Sequence, residues 1–415
     1  MERTSSTSRV LRFLALATLW AASLQSEGAD EVKIIVGFEG SCPQSMQGVK
    51  SEGERRFRIL PSWRPTIGVS EEAVGRSTRL GFRVANESGK PLPVELLIDW
   101  QYDDAPPADR PSFKSREEFM SYRDFVVVKE PGRSEWRTVM VDVEKSVAIL
   151  RLTVPPGVTE VQWHPPYTCT QSEEFVASLR SDSRVTIEKI GESEEGRDLR
   201  LLRITDESTA PKTPAMIRAR VHGYESGGSY AMEGMVHWLL SDNDWALQAL
   251  RKYEFFVLPM ANPDGVLNGL GRLTKPQGAD LTWAVATKPD RAHAAAKAAV
   301  DRVRPKLFVD LHNWQNKRTD GLLDLNPKVR ERFLVYMPDQ REFGKRWQIR
   351  EPSAVADVKP EHESMGLYCR RAFGAVSVSF EFPWFGRKPD DVRWTGARAL
   401  GALLMAIDEA GVVSR

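Results

Sequence analysis

Beyond about residue 165, short continuous apolar runs alternate with segments of helical pattern. The runs that predict strands are MIRARVHG, YEFFVLPMAN, KLFVDLH and AVSVSFEF, and the segments that predict helices are YAMEGMVHWLLS, AHAAAKAAVDRVR and TGARALGALLMAIDEAG. Strands that are apolar throughout are typical of a sheet with both faces covered, and alternation with helices favours parallel pairing. We therefore predict an α/β fold, a mixed, mostly parallel sheet flanked by helices, with VTIEKIG and DLRLLRITD as its opening hairpin.

The preceding part, residues 30–165, has a different pattern. Short runs of β-branched and aromatic residues are separated by Gly, Pro, Asn and Asp: EVKIIVGF, STRLGFRVAN, LPVELLIDW, RDFVVVK, WRTVMVDV and VAILRLTV. This spacing predicts an all-β, antiparallel sandwich. The segment contains no catalytic constellation, so we interpret it as a packing or substrate-positioning module.

Composition sets limits on size, partners and cross-links. A chain of 415 residues with 41% hydrophobic content is long enough for two cored domains. Its 58 basic and 57 acidic residues give a net charge of +1, which offers no reason to expect nucleic acid as a partner. Cys42, Cys169 and Cys369 are too few for a disulfide framework and have no CxxC spacing, although one bridge is possible and Cys42–Cys169 is the pair to test.

Two histidines lie at the ends of predicted strands, where parallel sheets place their ligand-binding residues. His222 opens the stretch His222-Gly-Tyr-Glu225, and His312 ends the apolar run Leu307–Leu311. Zinc accepts imidazole nitrogen and carboxylate oxygen at about 2.0–2.2 Å, and a catalytic zinc uses three protein ligands and one open position. We predict one Zn²⁺ per chain, held by His222, Glu225 and His312. Because HxxE is common in helices, a structural role for His222 and Glu225 is the alternative.

The order of several further motifs is more specific than HxxE alone. HGYESGGSYAMEG is followed by FFVLPMANPDGVLNGLGR, GADL, FVDLH and SVSFEF. This succession resembles the zinc metallocarboxypeptidase family, and most of all the branch that includes the cytosolic carboxypeptidases, which carry an all-β domain ahead of the catalytic one. WHPPYTCTQSEEFVASL is similar to the PYTY segment that leads into the catalytic domain of that branch. The resemblance covers most of the chain after Pro165 and implies a zinc-dependent peptidase with a peptide or amide substrate.

The resemblance also implies catalytic roles for two residues. Glu381, in SVSFEFPWFG, stands where the family keeps the general base that takes the water proton and passes it to the leaving amine. Arg272, in NGLGR, aligns with the arginine that stabilises the oxyanion. The alternatives are a salt-bridged core Glu381 and a surface Arg272. Asp310 shares a strand face with His312 and is expected either to hold its imidazole or to be purely structural.

One departure from the family concerns substrate recognition. The family continues Asp-Leu-Asn-Arg, whose Asn and Arg clamp a C-terminal carboxylate, whereas this chain has Asp280-Leu281-Thr282-Trp283. An indole cannot grip a carboxylate as a guanidinium does. Arg387 and Arg318 are candidate substitutes, and the sequence does not choose between them. The family's substrate-binding tyrosine has Tyr368 as its nearest candidate.

The amino terminus predicts export. Basic residues in the first twelve positions precede the apolar run Phe13–Leu24, and small residues follow up to Ala29. The run is short for a membrane span and typical of a signal peptide, with a buried helix or an uncleaved anchor as alternatives. The predicted organisation is a signal peptide at 1–28, a sandwich domain at 30–165 and a catalytic domain at 166–415. We expect a secreted or periplasmic protein with no stable membrane insertion.

These observations favour an exported zinc peptidase of the metallocarboxypeptidase type. A second hypothesis is a zinc amidase or deacylase that does not require a C-terminal carboxylate. A third is a binding protein that retains zinc without turnover, which the presence of both Glu225 and Glu381 argues against.

Overall fold

The computed structural model describes residues 31–61, 79–101, 115–206, 211–314, 317–337, 339–340, 345–353 and 358–412. The predicted signal peptide lies outside these ranges and stays a prediction. Among the described residues, no helix has both the length and the apolar character needed to cross a membrane.

The amino-terminal part of the described chain contains two five-stranded sheets. Their strands are β1 (Val32–Ile35), β2 (Val49–Gly53), β3 (Arg56–Ile59), β4 (Gly81–Asn86), β5 (Leu92–Asp99), β6 (Phe125–Lys129), β7 (Arg137–Met140), β8 (Asp142–Glu144), β9 (Val147–Val154) and β10 (Gly157–Gln162). One sheet has the order β1-β4-β10-β6-β7 and the other β2-β3-β5-β9-β8. Strands β3 and β5 are parallel, and the other neighbours in both sheets are antiparallel.

A single hydrophobic core fills the space between these two sheets. Phe82 and Val84 of β4 meet Leu96 and Ile98 of β5 there, because alternate side chains of each strand point inward. The prediction of WRTVMVDV as one strand is wrong, because β7 and β8 belong to different sheets. The sandwich itself is confirmed, but the predicted antiparallel pairing is wrong for β3 and β5, which run parallel. The α-helix described within it is α1 (Arg116–Met120).

The second part of the chain is built on one eight-stranded sheet. Its strands are β11 (Val185–Glu192), β12 (Asp198–Ile204), β13 (Thr213–Ala219), β14 (Tyr253–Leu258), β15 (Leu307–His312), β16 (Gly321–Leu323), β19 (Gln348–Arg350) and β20 (Val376–Glu381). They lie in the order β11-β12-β14-β13-β15-β20-β16-β19. The four central strands β14, β13, β15 and β20 are parallel, whereas β12 and β16 run antiparallel to their central neighbours. This confirms the predicted mixed sheet. Strands β17 (Asp339–Gln340) and β18 (Lys345–Arg346) pair separately.

Helices cover both faces of the large sheet. They are α2 (Cys169–Ser178), α3 (Ser226–Leu239), α4 (Asp244–Lys252), α5 (Pro263–Leu267), α6 (Arg291–Val303), α7 (Pro327–Tyr336), α8 (Met365–Phe373) and α9 (Pro389–Ala410). Side chains of α3, α7 and α9 share a hydrophobic cluster on one face, and side chains of α6 and α8 share another on the opposite face. Helices α2, α4, α5, α7 and α8 were not predicted. The boundaries of α8 nevertheless carry recognisable signals: Ser364 accepts a hydrogen bond from the Leu367 N–H, and Gly374 ends the helix with a φ of 64°.

The three cysteines are unpaired in the structure. The Cys42 thiol donates to the carbonyl of Pro61, with sulfur and oxygen 2.8 Å apart, and the Cys169 thiol donates to that of Pro263 at 3.4 Å. The bridge considered between Cys42 and Cys169 is therefore not formed.

Candidate metal centre

The metal-binding candidates sit on a turn between β13 and α3. After β13 ends at Ala219, the chain turns through residues 220–225, and the Glu225 N–H donates to the His222 carbonyl at 3.2 Å. Glu225 is the residue immediately before α3, so the turn presents His222 and Glu225 to the same side of the sheet edge.

Arg220 shapes this turn and was missed from the sequence. Its backbone is left-handed, with a φ of 61°, a conformation that costs a residue other than glycine about 1–3 kcal/mol. Its buried guanidinium folds back, and Nε donates to the Gly223 carbonyl at 3.1 Å. This bond braces the turn between the two candidate ligands. An isolated arginine in a strand-like run gives no sequence signal for such a role.

Two glycines let α3 start close to the neighbouring strand. A Cβ on Gly228 would lie 2.8 Å from the Leu311 carbonyl oxygen, and one on Gly227 would lie 2.3 Å from that of Phe382. Any larger residue would push the helix away from the ends of β15 and β20. The Gly-Gly pair after Glu225 therefore brings that carboxylate within reach of His312.

His312 and Glu381 are brought together by strand register. The last residue of β15 is His312, the last of β20 is Glu381, and the two are direct partners across the parallel pair. Their side chains lie on the same face because residues in register share a face of the sheet.

The structure assembles the three predicted ligands into one cluster. Nδ1 of His222 lies 2.8 Å from Oε1 of Glu225, and Nδ1 of His312 lies 2.9 Å from Oε2 of the same carboxylate. Their candidate ligand atoms lie within 4.8 Å of one another, and all three residues are buried. Two imidazole nitrogens and one carboxylate form the donor set expected for a catalytic zinc with an open position.

The charges in this cluster depend on one another. Burial opposes ionisation of Glu225, but the two imidazoles outweigh burial and lower its pKa to about 2. Burial also opposes protonation of His312, yet Asp310 and Glu225 raise its pKa well above the ordinary value. A cation placed among these groups would take over the stabilising role of the imidazole protons, since metal ligands bind deprotonated.

Each imidazole is also held from behind by a carboxylate. Nε2 of His312 lies 3.2 Å from Oδ2 of Asp310, which in turn forms a buried bidentate pair with Arg218 at 2.9 and 2.6 Å. Nε2 of His222 lies 3.3 Å from Oδ1 of Asp280 and 2.9 Å from Oγ1 of Thr282. Such carboxylates fix the ring orientation of metal-binding histidines. Asp310 takes the first of its two expected roles. Asp280 was missed, although GADL was recognised as a motif.

Glu381 and Arg272 face this cluster with unsatisfied atoms. Oε2 of Glu381 is buried and has no hydrogen-bond partner among the described residues. Burial raises the pKa of Glu381 to about 8. Nη2 of Arg272 lies 3.3 Å from Oδ2 of Asp280, while its buried Nε lacks a partner in the described part of the chain. A carboxylate oxygen that has no partner in the described part of the chain, on the residue in register with His312, is available for proton transfer.

The other residues considered from the sequence lie in different surroundings. The Tyr368 hydroxyl donates to Asp301 at 2.7 Å, so it is engaged between α8 and α6. Arg387 forms a fully buried pair with Asp320, and Arg318 pairs with Asp124 of the sandwich. Trp283 is held beside Ser364 by an isolated antiparallel bridge.

The fold matches solved metallocarboxypeptidases over nearly its whole length. The structure of a metallo-carboxypeptidase from Burkholderia cenocepacia superposes with a TM-score of 0.73, covering 91% of this chain and 99% of that one at 18% sequence identity. At this identity the likeness shows the fold alone.

Sequence comparison identifies families and proteins that this chain resembles. Residues 173–285 match the family model described as zinc carboxypeptidase. Cytosolic carboxypeptidase 2 of Macaca fascicularis is 36% identical over 186 residues, which is 41% of this chain and 22% of that protein. Cytosolic carboxypeptidase 6 of Caenorhabditis elegans is 33% identical over 115 residues, which is 26% of this chain and 25% of that protein.

The family match and the cluster of candidate ligands thus point to the class of zinc metallopeptidases. More narrowly, the chain is similar to the zinc carboxypeptidase family over residues 173–285. It spans about a quarter of the length of the two cytosolic relatives, so its own activity and substrates are matters for proposal.

Proposed function

We propose that this protein is a zinc-dependent peptidase of the metallocarboxypeptidase type, with one Zn²⁺ held by His222, Glu225 and His312. The observation that carries the proposal is the orientation of the two imidazoles. Both Nδ1 atoms converge on the Glu225 carboxylate, and both Nε2 atoms are held by carboxylates behind them. Packing alone would not require each imidazole to be oriented by a carboxylate at both of its ring nitrogens.

When bound, zinc would polarise the scissile carbonyl and lower the pKa of a coordinated water towards about 7. Glu381 would take the water proton and deliver it to the leaving amine, since its buried Oε2 is free of protein partners among the described residues. Arg272 would place positive charge where the carbonyl oxygen becomes an oxyanion, and Asp280 holds its guanidinium at that edge.

A peptide-hydrolysis assay tests this proposal. Zinc-loaded protein should release amino acids or shorter peptides from a peptide panel, and chelation should abolish release until zinc is restored. A fully zinc-loaded protein that cleaves no member of a broad panel of peptides and acylated amino acids would favour the non-catalytic binding hypothesis.

The residues that stand in place of the family's carboxylate clamp favour a second function. Thr282 contacts His222, Trp283 stands where the family has its arginine, and both candidate substitutes, Arg387 and Arg318, are already paired with carboxylates. We therefore propose that the enzyme does not depend strongly on a free C-terminal carboxylate, and that an internal or acyl amide is a possible substrate class.

Matched peptides with free and amidated C-termini separate the two functions. Hydrogen bonds to a charged group contribute about 1.5–3 kcal/mol, so a clamped carboxylate should favour the free acid by roughly tenfold to a hundredfold or more in kcat/KM. We expect a much smaller ratio. A strong preference for the free acid would restore the ordinary carboxypeptidase function and require another cation in the clamp.

We further propose that the protein is exported, on the basis of the basic start and the apolar run Phe13–Leu24. The mature chain should begin near Ala29. Amino-terminal sequencing of protein recovered outside the cytoplasm tests this, and an intact Met1 on a cytoplasmic product would contradict it.

A further inference from the structure

A small polar cavity lies between the sandwich and the catalytic sheet, behind the metal-binding turn. Its volume is about 20 Å³, and its lining comes from both parts of the chain. The polar lining residues are Arg79, Gln162, His164, Arg220, Tyr224 and Ser226. Tyr224 and Ser226 flank Glu225, so the cavity adjoins the turn but belongs to the domain interface. The lining contains two guanidiniums and no carboxylate.

These two guanidiniums have only neutral hydrogen-bond partners. Nη1 of Arg79 donates to the Val266 carbonyl at 2.6 Å. Arg220 is 1% exposed, and its Nε and Nη1 donate to the Gly223 carbonyl and, at 3.5 Å, to the Ser229 hydroxyl. Neither arginine forms an ion pair within the described ranges. Arg79 is half-buried, but Arg220 is fully buried, and burying a charge without a paired counter-charge is costly.

Two other buried arginines of this protein have carboxylate partners. Arg218 and Arg387 are fully buried, and each forms a bidentate pair with an aspartate, Asp310 and Asp320 respectively. Two buried guanidiniums of this fold thus receive an anionic partner, whereas Arg123, which is also buried, lies against aromatic rings. No carboxylate is among the described side chains that line the cavity.

The nearest carboxylates, Glu39 and Glu225, act on these arginines only from beyond ion-pair distance and form their hydrogen bonds elsewhere. Glu39, on the sandwich side, accepts a hydrogen bond from the Thr170 hydroxyl at 2.6 Å, and Glu225 is shared by His222 and His312. Burial, with a further contribution from Arg123, lowers the pKa of His164 to about 3, so its neutral imidazole adds no charge and can donate a hydrogen bond.

We propose that this cavity binds one monatomic anion of the chloride class, which bridges Arg79 of the sandwich and Arg220 of the catalytic domain. The volume admits about one water-sized particle and excludes a substrate carboxylate with its carbon chain. The guanidiniums supply charge-assisted donors from the two sides. The anion would stabilise the interface and the turn that carries His222 and Glu225.

Two measurements test the site without relying on enzymatic activity. In the first, crystals of zinc-loaded full-length protein are soaked in sodium bromide and the anomalous difference map is calculated. In the second, the melting temperature is measured in halide-free buffer while sodium gluconate is exchanged for sodium chloride or bromide at constant ionic strength. We expect an anomalous peak in the cavity and a saturable rise of roughly a few degrees.

A matched pair of variants tests whether the halide raises the melting temperature by binding at this cavity. Arg79→Gln should remove the saturable halide response, whereas Arg137→Gln, an exposed sandwich arginine paired with Glu130, should retain it. If Arg79→Gln does not fold, the bromide map of the unaltered protein decides. Water alone in the cavity, or equal melting temperatures in gluconate and halide, would overturn the proposal.

Discussion

The two faces of the central strands β13, β15 and β20 have opposite characters. On one face, Leu307, Val309 and Leu311 of β15 all enter the apolar cluster beneath α3 and α9. On the other face, the same strand presents Phe308, then Asp310, then His312, so polarity increases towards the carboxyl end. Because successive side chains of a strand point to opposite faces, the residues that stabilise the core and the residues of the candidate site lie on opposite faces of the sheet.

The polar face also shows how this fold tolerates buried charge. The Arg218–Asp310 pair is almost fully buried, bidentate and in contact with His312. By contrast, Arg151 and Asp142 in the sandwich form a pair whose side chains are 56% and 71% exposed. Breaking a buried pair leaves a charge without solvent, whereas breaking an exposed pair returns it to water.

The largest expected difference is between alanine substitutions on the two faces of β15. His312→Ala should lose zinc and all measurable hydrolysis, because one of three protein ligands is missing. Leu307→Ala, on the apolar face of the same strand, should lower the free energy of unfolding by about 2–5 kcal/mol and keep one zinc per chain. Metal analysis and denaturant unfolding measure both. If Leu307→Ala lost zinc while remaining folded, the separation of the two faces would be wrong.

Glu381→Gln should give the next largest effect. The amide keeps the shape of the side chain but cannot accept the water proton, so hydrolysis should fall by roughly a hundredfold or more while zinc is retained. Glu188→Gln, at an exposed pair with Arg302, is the matched control and should leave kcat/KM unchanged. Near-normal turnover in Glu381→Gln would remove this residue from the mechanism.

Asp310→Asn tests the support behind His312. Arg218 would be left buried without its counter-charge, which should destabilise the fold by about 3–5 kcal/mol. Loss of the oriented imidazole should also weaken zinc binding by roughly tenfold to a hundredfold. Asp142→Asn, at the exposed sandwich pair, should cost no more than about 1 kcal/mol. Equal destabilisation by the two changes, in urea unfolding, would refute the distinction between buried and exposed pairs.

The smallest expected effect concerns specificity. Trp283→Arg should retain zinc, because the described contacts of Trp283 include Ser364, His293 and His362 and none of the three candidate ligands. It should raise the preference for a free over an amidated C-terminus by about tenfold. Trp283→Phe keeps an aromatic side chain and serves as the control. An unchanged ratio in Trp283→Arg would show that position 283 does not face the end of the substrate.

The sequence predicted the parts of this fold that local patterns encode. Continuous apolar runs identified β13, β15 and β20, and their polar ends led to His222, His312 and Glu381. Among the sandwich strands, β2, β3 and β10 were missed because β2 is largely exposed and polar, β3 has only four residues, and β10 begins at Gly157. Asp280 and Arg220 were missed because their roles arise from contacts with a distant histidine and from a left-handed backbone, which no local pattern shows.

The most direct test of the central claim is the metal content and coordination of the purified full-length protein. Metal analysis, followed by X-ray absorption at the zinc edge, reports the stoichiometry, the ligand atoms and their distances. We expect one zinc per chain, with two imidazole nitrogens and carboxylate or water oxygens at about 2.0–2.2 Å. Protein that holds no zinc after purification without chelator, and takes up none on reconstitution, would contradict the claim that His222, Glu225 and His312 form a metal site.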